Sequence, residues 1–175
     1  GRDQAGMTLV LASQSASRAA MLEAAGVEFV AVPAGIDEAL LKQRLGLGDP
    51  AALALALAAA KAQAVAEERL GDLVLGSDSL VEVDGRLFDK PRTRDEAAEH
   101  LRAFSGRTMM LHSAAVIARD DVALWRHGEV AKLRVRVLSD AAIARYLALE
   151  WPAVKACVAK PAWRRSCATA WCRSP

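Results

Sequence analysis

Long apolar runs and blocks of a single charge are missing from this 175-residue chain. No apolar stretch approaches the ~18 residues that a membrane-spanning helix needs, so we expect no membrane partner. The polar residues 1–6 lack the apolar core of a signal peptide. The formal net charge is only +2 and no long basic run precedes the last dozen residues, which argues against binding of a nucleic acid polymer.

Cysteine is scarce and confined to one end of the chain. The three cysteines are Cys157, Cys167 and Cys172. An odd number of cysteines clustered in this way is a poor disulfide framework, and a chain without disulfides suits a reducing compartment. We therefore predict a cytoplasmic protein.

The common nucleotide- and metal-binding motifs are also absent. The sequence has no Walker-type glycine–lysine loop, and Gly46 and Gly48 lack both the third glycine and the preceding strand of a dinucleotide fingerprint. His100, His112 and His127 show no metal-ligand spacing, which favours surface or packing roles for them. Any phosphate chemistry therefore belongs to neither common nucleotide-binding fold.

What the chain does contain is an alternation of strand-like and helix-like segments, with 53% apolar and 25% charged residues. This order predicts an α/β fold with a mixed β-sheet flanked by helices, and the Asp84-Gly85 turn makes part of the sheet antiparallel. Strands are expected at 8–12, 27–32, 73–75, 80–83, 86–88, 108–118, 122–126 and 130–138. Helices are expected after the serines at 13–17 to Gly26, from Asp49-Pro50 to about Leu70, from Thr93 to Phe104, and from Ser139-Asp140 to Leu149.

A hydroxyl-rich segment between the first strand and the first helix is the first candidate site. Ser13, Ser15, Ser17 and Arg18 would surround a helix N-terminus, where free N–H groups and the helix dipole attract anions. Together they would suit phosphate. The alternative is an ordinary serine cap beside a surface arginine.

Two acidic positions could supply a metal ligand or a base. Asp78 lies in Gly76–Ser79, just past the end of the 73–75 strand and therefore at the mouth of the sheet, where a carboxylate can hold a cation or orient a water. The pair Asp37-Glu38 could add a second carboxylate. The alternatives are a simple turn residue for Asp78 and a dipole-favoured helix start for the pair.

Two lysines could neutralise phosphate charge. Lys61 is the first charge in a long apolar helix, where a buried lysine needs a partner. Lys90 precedes Pro91, which restricts its backbone to extended shapes. The alternatives are a snorkelling side chain and a solvated loop cation.

In this order the motifs resemble those of the Maf family of nucleoside triphosphate pyrophosphatases. The matching segments are 11–18 (LASQSASR), Asp37-Glu38, Lys61-Ala62, 75–79 (LGSDS), Lys90-Pro91 and 105–107 (SGR). The resemblance covers residues 7–158. It implies an elongated Maf/ITPase-like fold with two lobes around a central cleft, and a house-cleaning hydrolase that cleaves nucleoside triphosphates to the monophosphate and pyrophosphate with Mg²⁺ or Mn²⁺.

The resemblance also implies residue roles. Asp78 matches the catalytic base and a metal ligand, Glu38 matches a further acidic residue that holds the metal, and Ser17 and Ser79 match positions linked to base selection. The remaining matches are phosphate-handling positions, namely Ser13, Ser15, Arg18, Lys61 and Lys90. The Gly-Ser-Asp form is closer to the branch that acts on 7-methyl-GTP than to the dTTP/UTP branch, and which nucleotide is preferred stays open, as does a homodimer.

Two departures from the family pattern bear on activity. Ala19 stands where the family usually has a second arginine. After about Val158 the chain also diverges from the family's glycine-rich segment and final Leu-Pro helix, so we predict a disordered tail at 159–175 and a site that lacks part of its cleft. The alternative function is a catalytically impaired, nucleotide-binding regulator of cell division.

Overall fold

The protein is described here by a computed structural model, which covers the backbone of residues 8–159 and the side chains of residues 8–151. The elements in chain order are β1 (Leu9–Leu11), α1 (Ala16–Ala24), β2 (Val30–Ala31), α2 (Glu38–Leu45), α3 (Pro50–Ala66), β3 (Leu73–Val83), β4 (Arg86–Phe88), α4 (Arg94–Phe104), β5 (Thr108–Arg119), β6 (Val122–Arg134) and α5 (Asp140–Ala159). None of these helices combines the length and the apolar character that crossing a membrane requires.

The strands form one mixed sheet, which confirms the predicted fold class. The strand order is β2–β1–β3–β5–β6, and β4 pairs with β3 outside this path. β1 is parallel to β2 and β3, whereas β4 is antiparallel to β3. Asp84 and Gly85 have φ values of 50° and 77°, the left-handed conformation that a tight two-residue hairpin turn requires.

The chain divides into two compact units. The first contains the chain up to Ser79 together with Ser113–Glu129, and the second contains Leu80–His112 together with the chain from Val130 onward. All the predicted site residues except Lys90 belong to the first unit. The predicted cleft between lobes stays a prediction.

The prediction that the strand ends at Leu75, before Gly76–Ser79, was wrong, and so was the alternative that Asp78 is a turn residue. β3 runs without a break through this segment, and its even-numbered residues from Val74 to Glu82 are buried in regular alternation. A glycine followed by three small polar residues is typical of a turn. Here, however, Gly76 serves helix packing. A Cβ on Gly76 would lie 2.1 Å from the Ala58 carbonyl oxygen and 2.5 Å from the Ala62 nitrogen, so its absence lets α3 lie directly on β3.

Other boundaries differ from the predictions where tertiary pairing overrides a local signal. Strand β6 joins the strand expected at 122–126 to the first part of the one expected at 130–138, continues across Gly128 and ends at Arg134. Helix α3 ends at Ala66 rather than near Leu70. Helix α2 realises the helix start that is the alternative for Asp37-Glu38. Helix α5 continues to Ala159 instead of ending near Leu149. Residues 160–175, which contain nearly all of the predicted tail, and the side chains of the three cysteines lie outside the described part of the chain.

Helix α3 and the β1–β3 pair build the core of the first unit. Asp49 caps α3 by accepting a hydrogen bond from the Ala52 N–H at 2.9 Å, with Pro50 at the first turn as expected. The buried side of α3 is a stripe of small and apolar residues interrupted by one charge: Leu53, Ala54, Leu57, Ala58, Lys61, Ala62, Val65 and Ala66.

The parallel register of β1 and β3 determines where Asp78 lies. Leu11, the last residue of β1, pairs with Leu75, and the Ala12 N–H still donates to the Leu75 carbonyl. Beyond that point β1 gives way to the serine segment that leads to α1, while β3 continues. Asp78 is therefore in the part of β3 that extends past the end of β1, on the same side as Gly76.

The second unit contains a buried polar pair. His112 Nε2 lies 2.6 Å from Glu82 Oε2, and both side chains are almost fully buried. Within the described residues, His112 Nδ1 has no hydrogen-bond partner. The other two histidines make ring contacts. His100 lies edge-on to Phe88 and His127 stacks on Trp125.

Substitution of Gly76 by Ala should destabilise the protein by roughly 1–3 kcal/mol, because the added methyl group overpacks the α3–β3 contact. Urea unfolding of the variant and the parent would measure this difference. The matched control is Gly48→Ala, since a Cβ there meets no atom within 4 Å and φ is not positive. Equal losses of stability in the two variants would contradict this account of Gly76.

Substitution of Glu82 by Leu should cost about 1–3 kcal/mol, because the buried His112 ring then loses its only described partner. The double variant Glu82→Leu/His112→Leu should regain most of that loss, since two apolar groups leave no unsatisfied polar atom. Equilibrium denaturation of the three proteins tests this. A double variant less stable than Glu82→Leu alone would refute it.

Candidate active site

A buried ammonium group between two carboxylates forms the centre of the site. Lys61 Nζ lies 2.6 Å from Asp78 Oδ1 and 2.7 Å from Glu38 Oε1. The exposed fractions of the Lys61 and Asp78 side chains are only 9% and 6%, whereas Glu38 is 46% exposed. The lysine that needed a partner in the apolar helix therefore has two, and the snorkelling alternative does not hold.

Each of these three groups is positioned by a different element. Lys61 projects from α3 and Asp78 from β3, whose close approach at Gly76 brings the two side chains within reach. Glu38 is the first residue of α2, and Asp37 caps that helix by accepting a hydrogen bond from the Leu40 N–H at 3.0 Å. Both interpretations of the Asp37-Glu38 pair therefore apply, because the pair starts a helix and also delivers a carboxylate to the site.

The serine segment and Arg18 form a connected polar group at the start of α1. Ser13 Oγ accepts hydrogen bonds from the Ser15 N–H at 3.1 Å and from the Arg18 guanidinium at 3.2 Å. Ser15 occupies the N-cap position without making a side-chain cap, and its hydroxyl contacts Ser17 Oγ at 2.9 Å instead. The simple serine-cap alternative is therefore wrong. The first turn of α1 keeps amide groups without a side-chain cap, which is the arrangement that favours anions.

Arg18 belongs to the same electrostatic group as the two carboxylates. Burial lowers the pKa of the Arg18 guanidinium, while the negative charges of Asp78 and then Glu38 act in the opposite direction. Because guanidinium groups stay charged in proteins, the site holds two positive and two negative side chains. Asp78 thus lies within electrostatic reach of Arg18, as the predicted polyphosphate site requires.

The carboxyl group of Glu38 is held in its ionised form. Burial alone would raise the pKa of Glu38, but the hydrogen bond and charge of Lys61 oppose it, followed by the charges of Lys42 and Arg18. The net result is a pKa below the ordinary value for glutamate. Glu38 is therefore negatively charged at neutral pH and available to a cation.

Ser79 lies outside this group, and Lys90 belongs to the other compact unit. The Ser79 side chain alternates to the opposite face of β3 from Asp78, where its hydroxyl lies 3.2 Å from Ser113 Oγ. Lys90 is exposed in the second unit, between β4 and α4. The structure brings together the other seven, which are Ser13, Ser15, Ser17, Arg18, Glu38, Lys61 and Asp78.

The carboxylates of Glu38 and Asp78 suit a divalent cation whose other ligands are water and substrate oxygens. Glu38 and Asp78 converge on one nitrogen atom, so the same two oxygens can converge on a metal ion. Among the described side chains, however, no group of three or more His, Cys, Asp or Glu residues could hold a metal. Mg²⁺ commonly uses one or two carboxylates and completes its shell with water and substrate phosphates.

The sequence interpretation missed the contribution of Gly76 to the site. Its signal was present in the alanines at 58 and 62, which are one helical turn apart and small enough for a strand to approach. A small-residue face on a helix together with a glycine inside a strand pattern indicates such a contact. The hydroxyl residues that follow this glycine favour a loop after Leu75 instead, and this obscures the signal.

Comparison with known proteins gives the family. Residues 8–160 match the family model described as "Maf-like protein". The chain is 46% identical over 139 residues to a nucleoside triphosphate pyrophosphatase of Nitrobacter hamburgensis, covering 79% of this chain and 69% of that protein. It is 49% identical over 142 residues to a 7-methyl-GTP pyrophosphatase of Rhizobium meliloti, covering 80% and 71%.

Among solved structures, a HAM1 protein from Coxiella burnetii is similar at a TM-score of 0.46 and 20% identity, over 74% of this chain and 73% of that one. The family assignment depends instead on the sequence matches, and the family model spans every element that carries a site residue. On those matches, this chain belongs to the Maf-like protein family.

Proposed function

We propose that the protein hydrolyses nucleoside triphosphates to the nucleoside monophosphate and pyrophosphate. The observation that carries the proposal is the buried Asp78 carboxylate, which contacts Lys61 2.6 Å away and lies within the electrostatic reach of Arg18. A nearly buried acid among cations suits a reaction in which water attacks a phosphate. Relatives named as nucleoside triphosphate pyrophosphatases support this reaction class.

The polyphosphate would be bound by the start of α1 and the neighbouring cations. The uncapped amides of α1 and the Ser13 and Ser15 hydroxyls offer hydrogen bonds, and Arg18 and Lys61 offer charge. Lys90 has the same proposed role, supported by its match to the family motif. Binding of this kind orients the α-phosphorus toward Asp78, and such positioning is a main source of rate in phosphoryl transfer.

Asp78 would act on the attacking water. One carboxylate oxygen accepts a proton from the water as the water oxygen forms a bond to the α-phosphorus. The bond between that phosphorus and the α–β bridging oxygen breaks, and the bridging oxygen leaves with its electron pair as part of pyrophosphate. With substrate bound, the Lys61 ammonium offsets the charge that develops on the phosphates.

A Mg²⁺ or Mn²⁺ ion would be held by Glu38 and Asp78 and would supply neutralisation of phosphate charge. The protein residues would then divide the work. Glu38 and Asp78 hold the cation, and Arg18 and the serines hold the phosphates. Lys61, which lies beside the two carboxylates, adds positive charge for the phosphates.

Asp78→Asn should lower the rate of pyrophosphate release by at least ~10²-fold, the usual contribution of a general base. The amide retains a hydrogen-bond acceptor for Lys61, so the fold should survive. Pyrophosphate release under saturating triphosphate and Mg²⁺ measures the effect. The control is Asp121→Asn in the exposed β5–β6 turn, which should match the parent, and equal rates for the two variants would remove Asp78 from the mechanism.

We propose 7-methyl-GTP as one candidate substrate, supported by the Gly-Ser-Asp form of β3 and by the 7-methyl-GTP pyrophosphatase relative. Ser17 and Ser79 are the proposed base-selecting residues. A panel of 7-methyl-GTP, GTP, UTP and dTTP should give the highest kcat/KM with 7-methyl-GTP. A preference for UTP or dTTP would place the protein in the other branch.

The physiological setting that goes with this proposal is cytoplasmic removal of unwanted nucleotides. The alternative, a regulator of cell division that binds nucleotides without turnover, has no support among the described residues or the named relatives. Calorimetric titration with a panel of triphosphates, followed by the release assay, decides between them, because binding of a triphosphate without product would favour the regulator. A low rate in the parent would support the impairment predicted from Ala19 and the divergent tail.

A further inference from the structure

Lys61 occupies the position that a divalent cation would need. Its ammonium nitrogen contacts Asp78 Oδ1 at 2.6 Å and Glu38 Oε1 at 2.7 Å, and its side chain is 9% exposed. We propose that Lys61 is an internal counter-cation that keeps divalent metal out of the site until a polyphosphate arrives. Metal and polyphosphate would then bind in a coupled manner, with Lys61 as the positioning residue that couples them.

The charges of the unliganded site explain why a metal alone should bind poorly. Arg18 and Lys61 already balance Glu38 and Asp78, so a lone divalent ion would add two positive charges to a largely buried group. To reach Asp78 Oδ1 and Glu38 Oε1, the pair of oxygens that converge, it would also have to displace the Lys61 ammonium, which would then lose both of these contacts. Losing one partner of a buried ion pair is among the costlier changes in a protein.

The donor count points in the same direction. The described side chains offer the metal two carboxylates and no third His, Cys, Asp or Glu ligand. Mg²⁺ and Mn²⁺ favour more oxygen ligands than this. A polyphosphate supplies those oxygens and also gives the displaced ammonium new acceptors. It therefore completes the ligand shell of the metal and restores a partner to Lys61.

Side-chain chemistry makes the exchange feasible. Lysine carries its charge on a flexible four-carbon stem, so the ammonium can leave the carboxylates for a phosphate oxygen without movement of α3. By linkage, metal and polyphosphate each strengthen the binding of the other by the same factor.

The inference rests on the proposed function, but it is tested separately by metal binding. The probe is Mn²⁺, and its retention by the protein is measured by equilibrium dialysis. Samples with tripolyphosphate are compared with a protein-free blank, because tripolyphosphate itself binds Mn²⁺. The parent should retain little Mn²⁺ alone and at least about tenfold more tightly bound Mn²⁺ when inorganic tripolyphosphate is present. Asp78→Asn should reduce that coupled binding.

The decisive variant is Lys61→Met, which keeps the length of the stem and removes the charge. It should bind Mn²⁺ alone at least about tenfold more tightly than the parent, and the double variant Lys61→Met/Asp78→Asn should lose the gain. Lys132→Met, at an exposed lysine of β6, is the matched control and should bind Mn²⁺ as the parent does.

Two results would overturn the proposal: parent protein that binds Mn²⁺ equally well with and without tripolyphosphate, or folded Lys61→Met that binds it no better than Lys132→Met. Should Lys61→Met fail to fold in circular dichroism, Lys61→Gln, which also removes the charge, replaces it in the same comparison with Lys132→Met. A failure of the proposed function is distinguishable, because it would appear as absence of pyrophosphate release whatever the metal binding.

Discussion

The site depends on one lysine being buried with two carboxylates. A charged side chain placed in the apolar stripe of α3 is tolerated only because Glu38 and Asp78 neutralise it. The pairing constrains three elements together, since α2, α3 and β3 must all deliver a side chain to one point. The lack of a Cβ at Gly76 makes this possible, because α3 and β3 could not otherwise approach closely enough.

Much of the fold could be predicted because its signals are local. Asp49-Pro50 and Thr93 start helices as expected, and the Asp84-Gly85 turn forms the expected hairpin. The interpretation failed where a local preference was overruled by pairing. Gly76–Ser79 has turn-forming residues, but its backbone continues the strand that pairs with β1, and Gly128 likewise lies inside β6.

The sequence predicts which residues form the site but not how they are arranged. Short motifs identified Ser13, Arg18, Glu38, Lys61 and Asp78, and the structure brings all five into one group. The direct ion pairs could not be derived from the sequence, because they depend on the β1–β3 register and on the α3–β3 contact. Ser79 shows the limit most clearly, since its neighbour Asp78 projects from the opposite face of the same strand.

Asp78 lies on a regular strand rather than on a loop, and this limits how the site can change. A reactive group on a loop can be re-aimed by lengthening or reshaping that loop, whereas the direction of Asp78 is tied to the hydrogen-bond ladder of the sheet. Diversification of such a scaffold toward new nucleosides would therefore have to occur around a stationary carboxylate. Variation should accumulate in the segments that receive the nucleoside, while the strand that bears the acid tolerates neither insertions nor deletions.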